Sequence, residues 1–429
     1  MKTDQALDIV VIGAGVAGLV AAWLLGSRHR VTLVEANDYP GGHTHTVDVD
    51  DAQGALPVDT GFIVYNEPNY PHLCALLAHL GVPTRMSDMS FSASIDEGRI
   101  EYAGNDLDTL FAQRGNLLRP RYLGMVGDIL RFNRLAKRVL QKADPANDVS
   151  LGEFLDRHRL GAAFRHHYLL PMAAAIWSCP TRTMLRFPIQ SFARFFNNHG
   201  LLNLVDRPLW RTVEGGSRVY VEKLIASGHF NLVLNTPIKT VRREAGRVFV
   251  DALEGSFDAA VFASHADQTL GMLDEPDALE RELLGAFAYQ ENLAWLHSDA
   301  RLMPRLRKVW SSWNYLGYAE AGRDLATERV AVSYWMNRLQ GLSSTSDYFV
   351  TLNPVEPPQA DKVHGRYVYH HPVFDERAVN AQPRLAQLQG HRRSWYCGSF
   401  FGYGFHEDAV RSAVELAARF GIAPPWRQA

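Results

Sequence analysis

The sequence predicts an α/β fold in which a parallel-sheet domain is interleaved with a second, α+β domain. Three observations carry this. A short β-branched run, Ile9 to Ile12, passes through Gly13, Gly15 and Gly18 into an apolar helical stretch, Ala17 to Leu25, and then into a second strand, Arg30 to Ala36, with an acid at its end. Strand-like alternation returns much later, from Phe230 to Ser264, where Glu244 to Gly246 and Glu254 to Gly255 supply turns. The chain closes on a strand, a glycine-rich turn and a helix, Ser394 to Gly421, and no low-complexity linker sets the domains in series.

Taken in order, the first elements form a βαβ unit. From Leu73 to Leu140 the pattern reads as mostly helical, with a loop around Asn116 to Tyr122. A further helix precedes the aromatic-rich Phe187 to Gly200. A small β-meander then leads into a buried strand, Ala259 to Ala263, and later strands are expected around Ala294 to His297, Val330 to Trp335 and Tyr367 to Tyr369. The first domain is thus expected to comprise residues 1–75, 206–275 and 386–429, and the second 76–205, mainly helical, with 276–385, mainly sheet.

With 429 residues, 47% of them hydrophobic, the chain can bury two cores. A formal net charge of −2 gives no whole-protein field toward nucleic acid. Cys74, Cys179 and Cys397 have no CxxC spacing, which argues against a disulfide framework and a cysteine-rich zinc site, and a cytoplasmic setting is expected. The first apolar run lacks a small-residue cleavage signal and is not read as a leader. The longest later one, Tyr168 to Trp177, is too short for a membrane span and contains Pro171. The histidine pairs His43/His45, His166/His167 and His370/His371 lack carboxylate-rich spacing, and neighbours in a strand point to opposite faces, so no metal is expected.

The glycine spacing has a specific physical reading. Gly13 permits a tight turn, Gly15 lets the backbone approach a pyrophosphate, and Gly18 lets the helix pack on the strand. The N–H groups around Ala14, Val16 and Ala17 then face the phosphates from the positive end of the helix. Glu35 lies seventeen residues past Gly18, followed by Ala36, where an acid hydrogen-bonds a ribose. An acid there favours NAD or FAD over NADP and does not choose between them.

The segments that follow resemble the flavin-containing amine oxidase and phytoene desaturase superfamily. Its marks here are the pair Gly41-Gly42 downstream of the acid, the turn Asp59-Thr60-Gly61, a second pair at Gly215-Gly216, a strand expected at Asn235 to Val241 with Ile238 in it, and "CGSFFGYGFHEDAV" near the end. His43 stands where that superfamily usually has an arginine. The resemblance implies a Rossmann-like FAD-binding domain of GR2 type, an interleaved α+β substrate-binding domain, and noncovalent FAD. It extends the cofactor contacts to His43, Thr60, Gly61, Phe62, Ile238, Ala263, Gly398, Ser399, Gly404, Phe405, His406 and Ala409. It also places Phe405 against the substrate face and makes Gly404 to Ala409 the start of a helix aimed at the flavin carbonyls.

The strand Asn292 to Asp299 has no lysine where amine oxidases commonly carry one. Asn292 to Tyr315, together with Tyr369 to Asp375 and the string "GYGFHED", resembles bacterial flavoproteins associated with cyclopropane fatty acid synthases. That resemblance implies a lipid or other hydrophobic substrate, a fatty-acyl chain desaturated by hydride abstraction, and a methyltransferase of that kind as a partner. A true amine oxidase and a non-catalytic flavoprotein partner stay open as alternatives. Phe192, Phe195, Phe196, Trp177, Trp310 and Trp313 suit an apolar tunnel, although ordinary core packing accounts for most such aromatics. His297 and His371 are candidate proton carriers, since histidine titrates near neutrality. Apolar positions from Tyr122 to Val139, with Arg131, Arg134, Lys137 and Arg138 between them, fit either a helix lying on the inner membrane surface or an ordinary helix with a solvated face.

Overall fold

A computed structural model describes residues 5–141, 149–177, 184–203, 208–318 and 329–426. Cys179 and the Trp177 side chain lie outside the described residues. Five parallel strands form the first sheet, in the order Asn231–Val233, Arg30–Val34 (β2), Asp8–Ile12 (β1), Ala259–Phe262 and Ser394–Tyr396. β1 is central and buried on both faces, which is why it reads as an unbroken apolar run rather than an alternating one. The helix Val16–Leu25 (α1) is buried along nearly its whole length. It packs against Arg218–Ser227 and the C-terminal helix His406–Arg419.

The second sheet has seven strands, in the order Val363–Val373, Ala288–His297, Phe349–Leu352, Arg329–Trp335, Trp313–Tyr318, Phe91–Ile95 and Ile100–Ala103. All its pairings are antiparallel except that of Trp313–Tyr318 with Phe91–Ile95. A small antiparallel sheet, Val64–Asn66, Trp210–Val213 and Thr84–Ser87, joins segments from the two halves of the chain. Helices Pro120–Gln141, Leu151–Arg157 and Ile189–Asn198 share one aromatic core, in which Phe132 meets Phe154, Phe164 and Phe192.

Three expectations are corrected. The region from Leu73 to Leu140 is not mostly helical in its first half: after the helix Pro71–His79 come three strands, Thr84–Ser87, Phe91–Ile95 and Ile100–Ala103. The last two alternate around Asp96-Glu97-Gly98, whose φ values of 52°, 51° and 86° make the hairpin turn that the helical reading passed over. A hairpin, Thr46–Asp51 with Gly54–Asp59, occupies a stretch assigned no structure from sequence. Finally, Ile238 lies in an irregular segment before the strand Val241–Glu244, where the neighbouring Thr236 N–H donates to the Glu35 carbonyl at 2.9 Å.

Candidate active site

The site begins at the β1–α1 turn. Gly13 adopts φ 101° and donates its N–H to Val34 O at 2.8 Å, a conformation that favours glycine. A Cβ on Gly18 would sit 1.8 Å from Gly13 O, so the third glycine lets helix and strand touch. Gly15 is different, for a Cβ there meets nothing within 4 Å. α1 starts at Gly15 without a side-chain cap and without an acid in its first turn. A buried helix end with uncapped N–H groups beside open space is suited to an anion.

The second strand completes this wall. Glu35 accepts from Ala14 N–H at 2.7 Å through one oxygen and from Asn37 N–H at 3.0 Å through the other. It therefore clamps the turn, with lone pairs remaining for a ribose hydroxyl. Gly41 N–H donates to Ala14 O at 2.7 Å, and a Cβ on Gly42 would lie 3.2 Å from the Gly15 Cα, so the paired glycines press the returning backbone onto the loop. Ala263 flanks Gly13, with its carbonyl 3.1 Å from a Cβ built there. Gly61 abuts the His43 carbonyl, and Phe62 N–H donates to that carbonyl at 2.7 Å. Thr60 is buried and hydrogen-bonded to Tyr369 Oη at 2.7 Å.

The C-terminal motif arrives from the other end of the chain. Phe262 O accepts from Cys397 N–H at 3.0 Å, which sets Gly398 and Ser399 beside β1's neighbour. Gly398 N–H donates to Ser412 Oγ at 2.9 Å, and Ser399 O accepts from Gly404 N–H at 3.1 Å. The last helix opens at His406, not Gly404: Asp408 takes the N–H groups of Tyr403 and Phe405 at 2.9 and 3.1 Å. Gly402 makes room for that cap, because a Cβ would fall 2.0 Å from Asp408 Oδ1. His406 stacks on Phe62, ring centroids 3.7 Å apart, and its Nε2 is hydrogen-bonded to Tyr220 Oη at 2.5 Å. Ala409 is buried in the core shared with α1 and packs rather than lining an opening.

Facing these backbone elements is an aromatic and imidazole wall. Phe405 stacks on Phe195 at 5.0 Å, and Phe195 on His199 at 3.8 Å. His43 lies 5.4 Å from His371 and 6.3 Å from His265 between ring centroids, and His265 stacks on Tyr289. Burial holds His43 and His199 down at about 4, and His265, His371 and His406 at about 3. These rings are therefore neutral near pH 7. Among the described residues, no grouping of three His, Cys, Asp or Glu side chains could hold a metal ion.

Only one of the two proposed proton carriers belongs to this wall. His371 pairs with Gln290 in the second sheet, seven positions before His297 on the same strand, so the two lie roughly 20 Å apart. His297 is fully buried, with Nδ1 accepting from Asp299 N–H at 3.0 Å and Nε2 on Thr351 Oγ1 at 2.7 Å. Both nitrogens are used in holding the sheet, and the expectation of a catalytic role for His297 is withdrawn. Trp310 and Trp313 likewise belong to cores around Phe349 and Tyr334, not to this wall.

His371 is oriented by a relay that sequence reasoning missed. Leu293 N–H donates to Asn353 Oδ1 at 2.8 Å, Asn353 Nδ2 to Asn292 Oδ1 at 2.8 Å, and Asn292 Nδ2 to His371 Nδ1 at 3.0 Å. A backbone N–H can only donate, so each amide orientation follows, and His371 carries its proton on Nε2. Asp59 was also missed. Buried, and pushed up to about 6 by that burial, it accepts from Thr46 Oγ1 and Ser217 N–H at 2.5 and 2.8 Å, pinning the Gly215-Gly216 pair. No local signal marked Asn292 and Asn353; Asp59 stood inside a quoted motif and was read only as part of a turn.

This constellation defines a class. The model of the flavin-containing amine oxidoreductase family matches residues 16–294. The chain is 26% identical over 268 residues to a flavin-containing monoamine oxidase sequence of Mycobacterium tuberculosis, covering 59% of this chain and 55% of that one. It is 27% identical over 248 residues to a putrescine oxidase of Kocuria rosea, covering 55% and 49%. The chain thus spans about half the length of these curated relatives. Among solved structures, a CLA-producing fatty acid isomerase from P. acnes superposes with a TM-score of 0.70 at 17% identity, over 98% of this chain and 100% of that one. A putrescine oxidase bound to putrescine gives 0.67 at 18%, over 97% and 99%. At such identities the structural likeness establishes the fold.

The chain belongs to the flavin-containing amine oxidoreductase family, a class of FAD-dependent oxidoreductases, and its cofactor is FAD. The residues present fit that cofactor: the uncapped end of α1, the open space at Gly15 and the close backbone crossing at Gly41-Gly42 are what a pyrophosphate requires. Ala14, Gly15, Val16, Ala17, Gly42 and the backbone of His43 would hold the phosphates, and Glu35 the ribose, while the His43 ring belongs to the opposite wall. Gly398, Ser399 and the first turn at His406 would meet the flavin side.

Proposed function

We propose that this chain oxidises an apolar substrate by removing hydride, and that the substrate is a fatty-acyl chain which gains a C=C bond. The observation that carries the reading is the neutrality of the wall around Phe405. Phe195, His199 and Phe405 stack without a free carboxylate among them, and the neighbouring histidines are held uncharged. The buried acids near the site are already committed, Asp59 to Thr46 and Ser217, and Glu407 to the N–H groups of His72 and Leu73. An ammonium group would therefore lose its water without gaining a counter-charge. The fatty acid isomerase of the same fold lends support to an acyl substrate, while the amine oxidase relatives keep the amine reading as the competitor.

Bound FAD supplies the hydride-accepting chemistry. The protein's part is to seat the acyl chain against Phe195 and Phe405, to exclude water, and to take up the second hydrogen as a proton. His43, whose Nε2 is buried without a partner, is the group placed to accept that proton, while the neighbouring His371, its proton fixed on Nε2 and its Nδ1 lone pair held by Asn292, can only donate a hydrogen bond. Anaerobic mixing tests the reading: lipids bearing methyl-branched or cyclopropane acyl chains should bleach the flavin absorbance, and amines should not. Bleaching by amines alone would hand the site to the amine oxidase reading.

A further inference from the structure

The segment from Leu107 to Gln141 forms a surface unlike any other described part of the molecule. Of the nine large exposed hydrophobic side chains among the described residues, five fall within it: Leu107, Leu117, Leu118, Leu123 and Leu130, with Leu118 87% exposed and Leu107 74%. Single exposed leucines are commonplace, but a contiguous group is not. These are held together locally. Tyr122, buried, donates its hydroxyl to Leu110 O at 2.6 Å and packs on Phe111 with ring centroids 5.7 Å apart, and Arg119 donates to Asn116 Oδ1 at 3.1 Å. The leucines at 107, 117, 118 and 123 thus flank in sequence the residues of one knot.

The long helix Pro120–Gln141 continues that surface with charge. Its inner face, Met125, Ile129, Phe132 and Ala136, is buried. Its outer face carries Leu123, Gly127, Leu130, Arg134 and Arg138 at three- and four-residue steps, with Arg131 and Lys137 alongside. The single acid on the helix, Asp128, is spent on Gly161 N–H at 2.8 Å and lies 3.9 Å from Arg131. Arg121, Arg134 and Arg138 make no ion pair among the described residues. From Asn105 to Gln141 there are seven lysines and arginines against three acids, in a chain of net charge −2. Between the leucine knot and the second sheet opens a hollow of about 200 Å³ whose lining includes Arg99, Arg119, Arg121 and His167.

We propose that this face docks on an anionic lipid bilayer, the leucines entering the acyl boundary and the arginines lying at the level of the phosphates. Apolar tips beside unpaired cations match the two components of such a surface, and an interfacial helix gains from both. The same helix abuts the site through Phe132, which meets Phe192 at 6.2 Å, one turn from the Phe195 that stacks on Phe405. The docking does not depend on the substrate proposed above.

Flotation of the flavin-loaded protein with vesicles tests it. The wild type should rise with phosphatidylglycerol–phosphatidylcholine vesicles at low salt and stay behind with phosphatidylcholine alone. Leu118→Ser with Leu123→Ser, and separately Arg134→Glu with Arg138→Glu, should each weaken binding about tenfold or more. Thermal melting and flavin content should be unchanged, since these side chains touch solvent. Equal binding to both vesicle types, no binding by the wild type, or undiminished binding by either variant overturns the proposal. So does a leucine-dependent dimer that ignores vesicles, which would assign the face to a second copy of the chain.

Discussion

The two walls of the candidate site are made by different means. The cofactor wall is largely backbone: Gly13, Gly15, Gly18, Gly41 and Gly42 lie within thirty residues, and what matters is where a Cβ is missing. The opposite wall is all side chain: His43, His199, His265, His371 and Phe405 come from five separated segments, only His371 of them in the second sheet, and they come together through contacts between distant parts of the chain. A backbone site tolerates almost any neighbourhood provided its spacing is kept. A side-chain site is as fragile as its longest-range contact.

The sharpest test of that contrast compares two glycines three residues apart. Gly18→Ala must drive a Cβ into Gly13 O, and it should cost about 3 kcal/mol or more, read as a lowered melting temperature and little flavin recovered. Gly15→Ala meets no protein atom within 4 Å, so the flavin-free protein should melt within about 0.5 kcal/mol of wild type while flavin affinity falls steeply. If both variants lose stability alike, the open space at Gly15 is no cradle.

The imidazole wall should announce itself in acid. His43, His199, His265, His371 and His406 have folded values of about 4, 4, 3, 3 and 3 against 6.5 for a free imidazole. A lowered folded value means that their contribution is complete above pH 6.5 and is lost as pH falls toward the folded values. Asp59 and Glu407, raised to about 6 and about 7, act oppositely and stabilise the fold as they protonate. Five groups outweigh two, so melting temperature should drop steadily between pH 6.5 and about 4. A flat or rising profile would mean that these rings are open to water.

A smaller effect belongs to the relay. Asn292→Leu removes the donor to His371 Nδ1 and strands Asn353 Nδ2, costing about 1–3 kcal/mol. Nitrogen chemical shifts of His371 should then show a mixture of tautomers where the wild type shows the Nε2–H form alone. Smallest of all, Phe195→Leu and Phe405→Leu should couple by about 0.5–1.5 kcal/mol in a double-mutant cycle of stability.

The same contrast explains what could be read in advance. The β1–α1–β2 unit, Glu35 and the C-terminal motif were legible because a turn, a helix end and an acid must follow one another at fixed distances along the chain. Phe405 could be singled out from its motif, but its stacking partner Phe195 was one of several equivalent aromatics. Asn292 and Asn353 stand 61 residues apart, and only antiparallel pairing makes them neighbours. His297 looked as eligible as His371 because residue type says nothing about which end of a strand faces the cofactor. The missed strands Phe91–Ile95 and Ile100–Ala103 failed for a local reason: serines and a glutamate occupy buried positions, so the apolar alternation that marks a strand was blurred.

The five-stranded sheet also has a consequence for how the protein is made. Its strands Asp8–Ile12 and Arg30–Val34 leave the ribosome early, but their sheet is completed by Ser394–Tyr396. In the nascent chain the edge at Asp8–Ile12 therefore stands open until Ala259–Phe262 is made, and the edge at Ala259–Phe262 until Ser394–Tyr396 follows, with the helix that closes the site later still. A polypeptide cut before Ser394 would keep every glycine of the first motif intact and have nothing to shut over it.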